Sequence, residues 1–222
     1  MDKDNFEKYI LLGIEGKISA RKYIECEILI ILSSLPLIVV ERHNYIFLLL
    51  CLSPIILYSI FIIKEGKGKP IEGMYFILHN GIFSISFSLV LGMTGMGILI
   101  YLYSGIKKYV FICIVCLGYV LMSILCISII KKEKRKKEDT SLKHTGKSIS
   151  FILCGVLGGI VARIFLRDMS NQKAIEILCI LCFLISYLTS IGVLNIYKFR
   201  YLIKHPEILS TYQLKNKGCH WI

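Results

Sequence analysis

Long uncharged apolar runs alternate with short charged segments along the whole chain. A helix rises about 1.5 Å per residue, so ~20 apolar residues cross the ~30 Å hydrocarbon core of a bilayer. Continuous runs of this kind differ from the ~10-residue alternating segments of a membrane β-barrel. The pattern therefore predicts an all-α integral membrane protein. The uncharged runs cover residues 43–63, 73–106, 109–130, 148–162 and 177–197.

Six transmembrane helices fit these runs, and we predict a membrane domain over residues 23–197. The first span needs Glu25 and Glu27 at the level of the lipid headgroups, where charges at a helix end are tolerated. Pro54 falls inside the second span, where neighbouring groups accommodate a proline. The predicted spans cover about 23–40, 45–63, 77–103, 109–130, 148–166 and 177–197.

The two ends of the chain are predicted to be cytoplasmic segments. Residues 1–22 form a short amphipathic helix on the membrane surface, because apolar residues recur there at helical spacing. Residues 198–222 form a basic, polar tail with a short helix after Pro206. The regularly spaced apolar residues near the start are Phe6, Ile10, Ile14 and Ile18.

The apolar run that holds the third predicted span, residues 74–106, is too long for one straight span and too short for two. Its 33 residues would make about 50 Å of helix, so part of it has to tilt, lie in the interface or break. Three glycines mark the expected break, at Gly92, Gly95 and Gly97. Such glycines indicate either close helix packing or a broken helix that lines a ligand or ion path. His79 and Asn80, near the cytoplasmic end of this span, are predicted to be interfacial rather than catalytic.

The charge distribution predicts the orientation. The chain has 222 residues, is 55% apolar and carries a net charge of +12, with a mean hydropathy of +0.68. Six spans place 21 Lys and Arg residues on the side of the termini and six on the other side. Since positive residues collect on the cytoplasmic side, we predict both termini in the cytoplasm of a cell-membrane protein.

The densest basic segment is residues 131–147, with eight of the 27 Lys and Arg residues. It is interpreted as a topological anchor, a contact for anionic lipid headgroups, or a docking surface for a cytoplasmic protein. Nucleic acid is not an expected partner, because no aromatic residues for base stacking are interleaved with the charges. The candidate contact residues are Lys131, Lys132, Lys134, Arg135, Lys136 and Lys137.

Two of the predicted spans carry a CxxC pair, Cys113 with Cys116 and Cys179 with Cys182. In the predicted topology both pairs lie within about two turns of the outer face. Four converging thiols would suit a thiol–disulfide relay or a tetrahedral soft-metal site. The alternative is core packing, because residues i and i+3 share a helix face by periodicity alone.

No other catalytic template is present. The chain lacks the GxSxG, Walker-type and HExxH motifs and has no cluster of carboxylates inside a span. Arg163, near the outer end of the fifth span, either snorkels to the headgroups or binds a substrate. We therefore predict no catalytic residue, no cofactor and no metal site.

Three functions fit this organisation. The predicted layout has six spans, cytoplasmic termini and a leading amphipathic helix, and it resembles the membrane subunits of small ABC-type exporters. This resemblance implies a permease-like or accessory transport subunit with an ATPase partner. The second is a membrane-embedded immunity or regulatory protein that acts through helix–helix contacts, for instance against a cognate toxin. The third is a membrane thiol oxidoreductase that uses the four CxxC cysteines.

Overall fold

The computed structural model of the protein describes residues 3–40, 45–66, 71–135 and 171–215. Nearly all of this part is helical, apart from two two-residue strands and their connections. A single π-helical turn, Ile62–Gly66, follows the third helix. The helices are α1 (Lys3–Leu11), α2 (Ala20–Val40), α3 (Tyr45–Phe61), α4 (Gly73–Leu102), α5 (Gly105–Arg135), α6 (Asn171–Ser190), α7 (Val193–Lys204) and α8 (Pro206–Lys215); the strands are β1 (Lys17–Ile18) and β2 (Ile71–Glu72).

Helix α4 is the centre of the bundle. It contacts α2 and α3 on one side, α6 and α7 on another, and also α5. Fourteen of its residues are buried, although the sequence alone shows only a continuous apolar run. Helical hydrogen bonds satisfy its backbone internally, as a segment in hydrocarbon requires.

Contacts along α4 give the directions of its neighbours. Helix α2 runs parallel to α4, since Tyr23 lies against His79 and Thr94 bonds to the carbonyl of Ser33 further along. Helix α3 runs antiparallel, with Tyr58 at the level of His79. Helices α6 and α7 together also run antiparallel to α4.

One end of the bundle gathers both ends of the described chain. Apolar residues of α1, α7 and α8 pack with Ile77, near the start of α4. Beside them β1 and β2 pair antiparallel, with Lys17 opposite Glu72 and an ion pair between these side chains. Because α5 runs antiparallel to α4 and contacts α1, its last residues lie at this end too. The shared cluster contains Phe6, Ile10, Ile14, Ile77, Leu202 and Ile208.

The prediction of a mostly helical protein is confirmed, and several of its helices are long and apolar enough to cross a membrane. Within the described ranges three helical stretches are long and apolar enough to cross a membrane: Gly73–Leu102, Gly105–Lys132 and Gln172–Lys204. A shorter apolar stretch covers Leu49–Lys64. The predicted fifth span, 148–166, lies outside the described residues.

Two helices differ from the prediction in extent. The amphipathic helix ends at Leu11, where a turn follows and Gly13 has a φ of +94°. Its apolar face packs on α7 and α8, whereas the prediction placed that face in the membrane surface. The predicted sixth span, 177–197, is interrupted at Ile191 and Gly192, between α6 and α7.

The expected break at Gly92, Gly95 and Gly97 is wrong, because α4 is continuous from Gly73 to Leu102. The alternative interpretation of these glycines, close helix packing, is the one observed. Pro54, as predicted, lies inside a continuous α3. The short helix after Pro206 is also confirmed.

Candidate functional site

The joint between α4 and α6 is built on hydroxyl groups. Ser186 donates to the carbonyl of Ser88 at 2.7 Å, and Ser88 donates to the carbonyl of Ser186 at 2.8 Å. Tyr119 of α5 bonds to the Ser186 hydroxyl. We call these three residues the serine clasp. Ser88 and Ser186 are buried, and hydroxyl groups are a common means of joining helices away from water.

Two of the predicted glycines let α5 and α6 approach α4 closely. A Cβ atom placed on Gly92 would collide with the Tyr119 hydroxyl and lie 3.2 Å from the Ser186 hydroxyl. A Cβ atom on Gly95 would lie 3.1 Å from the ring of Phe183. Gly97 is buried in the same stretch of α4. These glycines are therefore packing positions for large neighbouring side chains.

The joint between α4 and the α2–α3 pair uses larger side chains. Tyr58 of α3 and His79 of α4 form a hydrogen bond of 2.8 Å between the tyrosine oxygen and Nε2. Both are buried, with exposed fractions of 0% and 1%. The other ring nitrogen of His79, Nδ1, is buried without a hydrogen-bond partner in the described structure. A buried polar atom of this kind is uncommon and costs free energy.

Four aromatic rings from three helices surround the His79 imidazole. The ring of Phe83 lies parallel to it with the centroids 6.4 Å apart. The centroids of the other three rings lie 5.7 to 6.2 Å from that of His79. We call this group the His79 cluster: His79, Tyr23, Tyr58, Phe61 and Phe83.

Further polar groups lie beside the His79 cluster on α2 and α3. The Cys26 thiol lies next to the Tyr58 hydroxyl. The Ser59 hydroxyl contacts both the Glu27 carboxylate and the carbonyl of Ile55. Glu27, predicted at the headgroup level, is half-buried and accepts a hydrogen bond from Ser59 of α3.

The two CxxC pairs differ in exposure in the structure. Cys113 and Cys116 are exposed on α5, whereas Cys179 and Cys182 are buried on α6. The Cys179 thiol lies 3.3 Å from the Gly95 carbonyl and Cys182 packs beside Gly95. In the described part of the chain all of these thiols are free, and no group of three or more His, Cys, Asp or Glu residues could hold a metal ion. The described residues therefore show no group of thiols that could share a metal ion, and a thiol–disulfide role for the two pairs stays a prediction.

Only some of the basic residues predicted to contact lipid, a partner or a substrate are among the described residues. Lys131 and Lys132 are exposed near the end of α5, and Lys134 and Arg135 belong to its last turn. Lys136, Lys137 and Arg163 lie outside the described residues. The lipid and partner roles of this segment stay predictions.

Sequence reasoning missed the His79 cluster, since it placed His79 at the membrane interface. A signal was present: Tyr23 begins the first predicted span, Tyr58 and Phe61 end the second, and His79 begins the third. In the predicted topology these four residues share one depth. The sequence does not predict which face of α4 packs against α2 and α3, and it is this packing that buries the imidazole.

Comparison with known proteins adds no homologue. The chain matches no protein-family model, no curated protein and no solved structure. Its function has to be argued from the residues that the bundle brings together.

Proposed function

We propose that this chain is a non-catalytic, multi-pass subunit of a membrane transport complex, either permease-like or accessory. One observation supports this most: α4 carries buried polar side chains along about half of its length, inside an otherwise apolar bundle. From His79 to Thr94 they extend over about 22 Å, and a simple membrane anchor has no need of them. An ionisable group inside a membrane bundle, here His79, is typical of substrate paths and proton relays, and the hydroxyls join the helices around it. These residues are His79, Ser86, Ser88 and Thr94.

The proposal places six spans in the membrane with both termini in the cytoplasm. The positive charges support this orientation, with 21 Lys and Arg residues on the side of the termini and six opposite. The packing of α1, α7 and α8 at one end agrees with it. The exposed Lys131 and Lys132 then lie at the cytoplasmic end of α5, where a soluble partner and anionic headgroups are both within reach.

Copurification tests the transport proposal. The chain, extracted in mild detergent, should bring down a soluble protein with a Walker-type motif and measurable ATP hydrolysis. Lys131→Glu with Lys132→Glu should reduce the recovery of that ATPase several-fold, because this pair lies at the proposed cytoplasmic end. The matched control is Lys107→Glu with Lys108→Glu at the other end of α5, which should leave recovery unchanged. Purification without any ATPase, or equal loss in both variants, would contradict the proposal.

A second candidate, a regulatory or immunity protein that acts by helix–helix contacts, is favoured by the surface of α5. In its apolar stretch only 11% of the residues are buried within the described structure. Leu117 and Leu121 are 60% and 65% exposed. Such a protein would protect or regulate its target with no ATPase bound and with Cys113, Cys116, Cys179 and Cys182 all replaced by Ala.

A further inference from the structure

His79 stands out among the ionisable residues because it is buried where three helices meet. Its exposed fraction is 1%, and rings from α2, α3 and α4 enclose it. One ring nitrogen bonds to Tyr58, and the other, Nδ1, makes no hydrogen bond of normal geometry, with the Asn80 side chain beside the ring. Histidine is the side chain whose charge most readily changes near neutral pH.

We propose that His79 is a proton-binding site whose occupation opens the joint between α4 and the α2–α3 pair. A proton adds no heavy atom, so the closely packed cluster needs no cavity to receive it. In the neutral ring, one nitrogen carries the hydrogen and the other offers a lone pair. Protonation fills that lone pair and makes both nitrogens donors.

Tyr58 fits this role because its hydroxyl both donates and accepts. It donates to Nε2 when that nitrogen offers its lone pair, and it accepts from Nε2 when that nitrogen carries a hydrogen. In the second arrangement the tyrosine proton turns away, and the Cys26 thiol lies beside the hydroxyl. The proton taken up comes from water, and no covalent bond between heavy atoms changes.

The protonated His79 imidazolium is disfavoured in the packed joint between α4 and the α2–α3 pair. The ionisable groups around the Tyr58–His79 bond are Tyr23, Cys26 and Glu27 on α2, with Lys22 and Glu25 further out beside Cys26. Glu27 is the carboxylate that acts on Tyr58, and its oxygen is engaged by the Ser59 hydroxyl. A buried cation without a paired carboxylate is costly. Uptake of a proton therefore favours separation of α2 and α3 from α4, where water or Glu27 reaches the imidazolium.

The site lies close to a surface that supplies protons. His79 is six residues beyond Gly73, the first residue of α4, which is about 9 Å along the helix. Exposed Lys22 and Glu25 on α2 lie around the same level. The inference does not depend on the transport role, because a proton-controlled joint would serve a regulatory protein equally well.

Two measurements on the full chain in lipid nanodiscs or detergent test the proposal. The first is nitrogen NMR of histidine-labelled protein, in which the His79 signals are those missing from His79→Gln. We expect them to change from the neutral to the imidazolium pattern between pH 8 and pH 5. Signals that stay neutral over this range would overturn the proposal.

The second measurement is the thermal unfolding midpoint over the same pH range. The packed joint holds the neutral ring and the open joint binds the proton, so the midpoint of the wild type should fall with acid, by on the order of 5 °C. His79→Gln should remove most of that fall. His205→Gln, between α7 and α8 with its side chain 42% exposed, should retain it. Equal pH dependence in the wild type and His79→Gln would overturn the link between proton binding and the joint.

Discussion

The two sides of α4 are joined to their neighbours by different chemistry. Towards α6 the contact uses glycines and serines, so the backbones lie close and hydroxyls bond to carbonyls. Towards α2 and α3 it uses aromatic rings around a single imidazole. The hydroxyls of the serine clasp are all hydrogen-bonded, whereas Nδ1 of His79 is buried without a hydrogen bond of normal geometry.

This difference separates a fixed joint from an adjustable one. Small residues allow dense packing and leave few alternative arrangements, which suits a permanent contact. Large rings around an ionisable group make a contact whose strength depends on one proton. We therefore expect the α4–α6 contact to be structural and the α2–α3 side to be the part that moves.

The largest effect is expected from a bulky residue at Gly92. Gly92→Leu would drive a side chain into Tyr119 and Ser186, breaking the serine clasp and separating α5 and α6 from α4. Overpacking and a lost hydrogen bond together should lower the free energy of unfolding by about 3 kcal/mol or more. Denaturant titration in detergent micelles measures it.

The control for that substitution is Leu89→Phe on the same helix. Leu89 is 45% exposed, so added volume meets lipid or detergent and stability should hardly change. A Gly92→Leu variant as stable as this control would contradict the fixed α4–α6 joint.

An intermediate effect is expected from Tyr58→Phe. The substitution removes the hydrogen bond between the Tyr58 hydroxyl and Nε2 of a buried imidazole, which should cost about 1–2 kcal/mol in the free energy of unfolding at pH 8. Tyr75→Phe is the matched control, because Tyr75 is 45% exposed on α4 and should cost little. If both variants unfold alike, the Tyr58–His79 bond does not hold the adjustable joint.

A smaller effect is expected from Ser186→Ala. Hydrogen bonds between membrane helices contribute about 0.6 kcal/mol on average. The substitution removes two of them, from the Ser186 hydroxyl to the Ser88 carbonyl and between the Tyr119 and Ser186 hydroxyls. The expected cost is about 1 kcal/mol in the free energy of unfolding. Ser123→Ala, an exposed serine that bonds within α5, should be neutral, and an equally large cost there would argue against the clasp.

The smallest effect on stability is expected at the exposed CxxC pair. Cys113→Ala and Cys116→Ala should be nearly neutral, because both side chains are exposed on α5. In detergent, N-ethylmaleimide should label these two thiols quickly and the buried Cys179 and Cys182 slowly, with or without reductant. Mass spectrometry counts the adducts. Equal labelling of all four thiols, or labelling that depends on reductant, would contradict the separation of the pairs.

Sequence patterns predicted the helices better than their contacts. The apolar run lengths located α3, α4 and α5, because the absence of charge over ~20 residues is a strong signal for a membrane helix. The continuity of α4 through Gly92–Gly97 was not predicted, since glycine weakens an isolated helix. In the bundle, side chains such as Tyr119 and Phe183 pack against those glycines and offset that cost.

The candidate sites were harder to predict than the fold. When a helix is hydrophobic on every face, its sequence does not predict which face meets the rest of the bundle. The burial of His79 and the exposure of Cys113 could therefore not be predicted. The CxxC spacing predicted a shared face within each helix and nothing about which face meets a neighbour. For the same reason the serine clasp, which joins Ser88 to Ser186 across 98 positions of sequence, left no local signal.

We propose a membrane bundle around α4, in which the end where α1, α7 and α8 pack together lies in the cytoplasm. Its most direct test places a single cysteine at either end of α5, Lys107→Cys or Lys131→Cys, in a chain whose native cysteines are replaced by Ala. A membrane-impermeant maleimide should label the first in intact cells and the second only in inverted vesicles. Labelling of both positions from the same side, or the reverse pattern, would contradict the account.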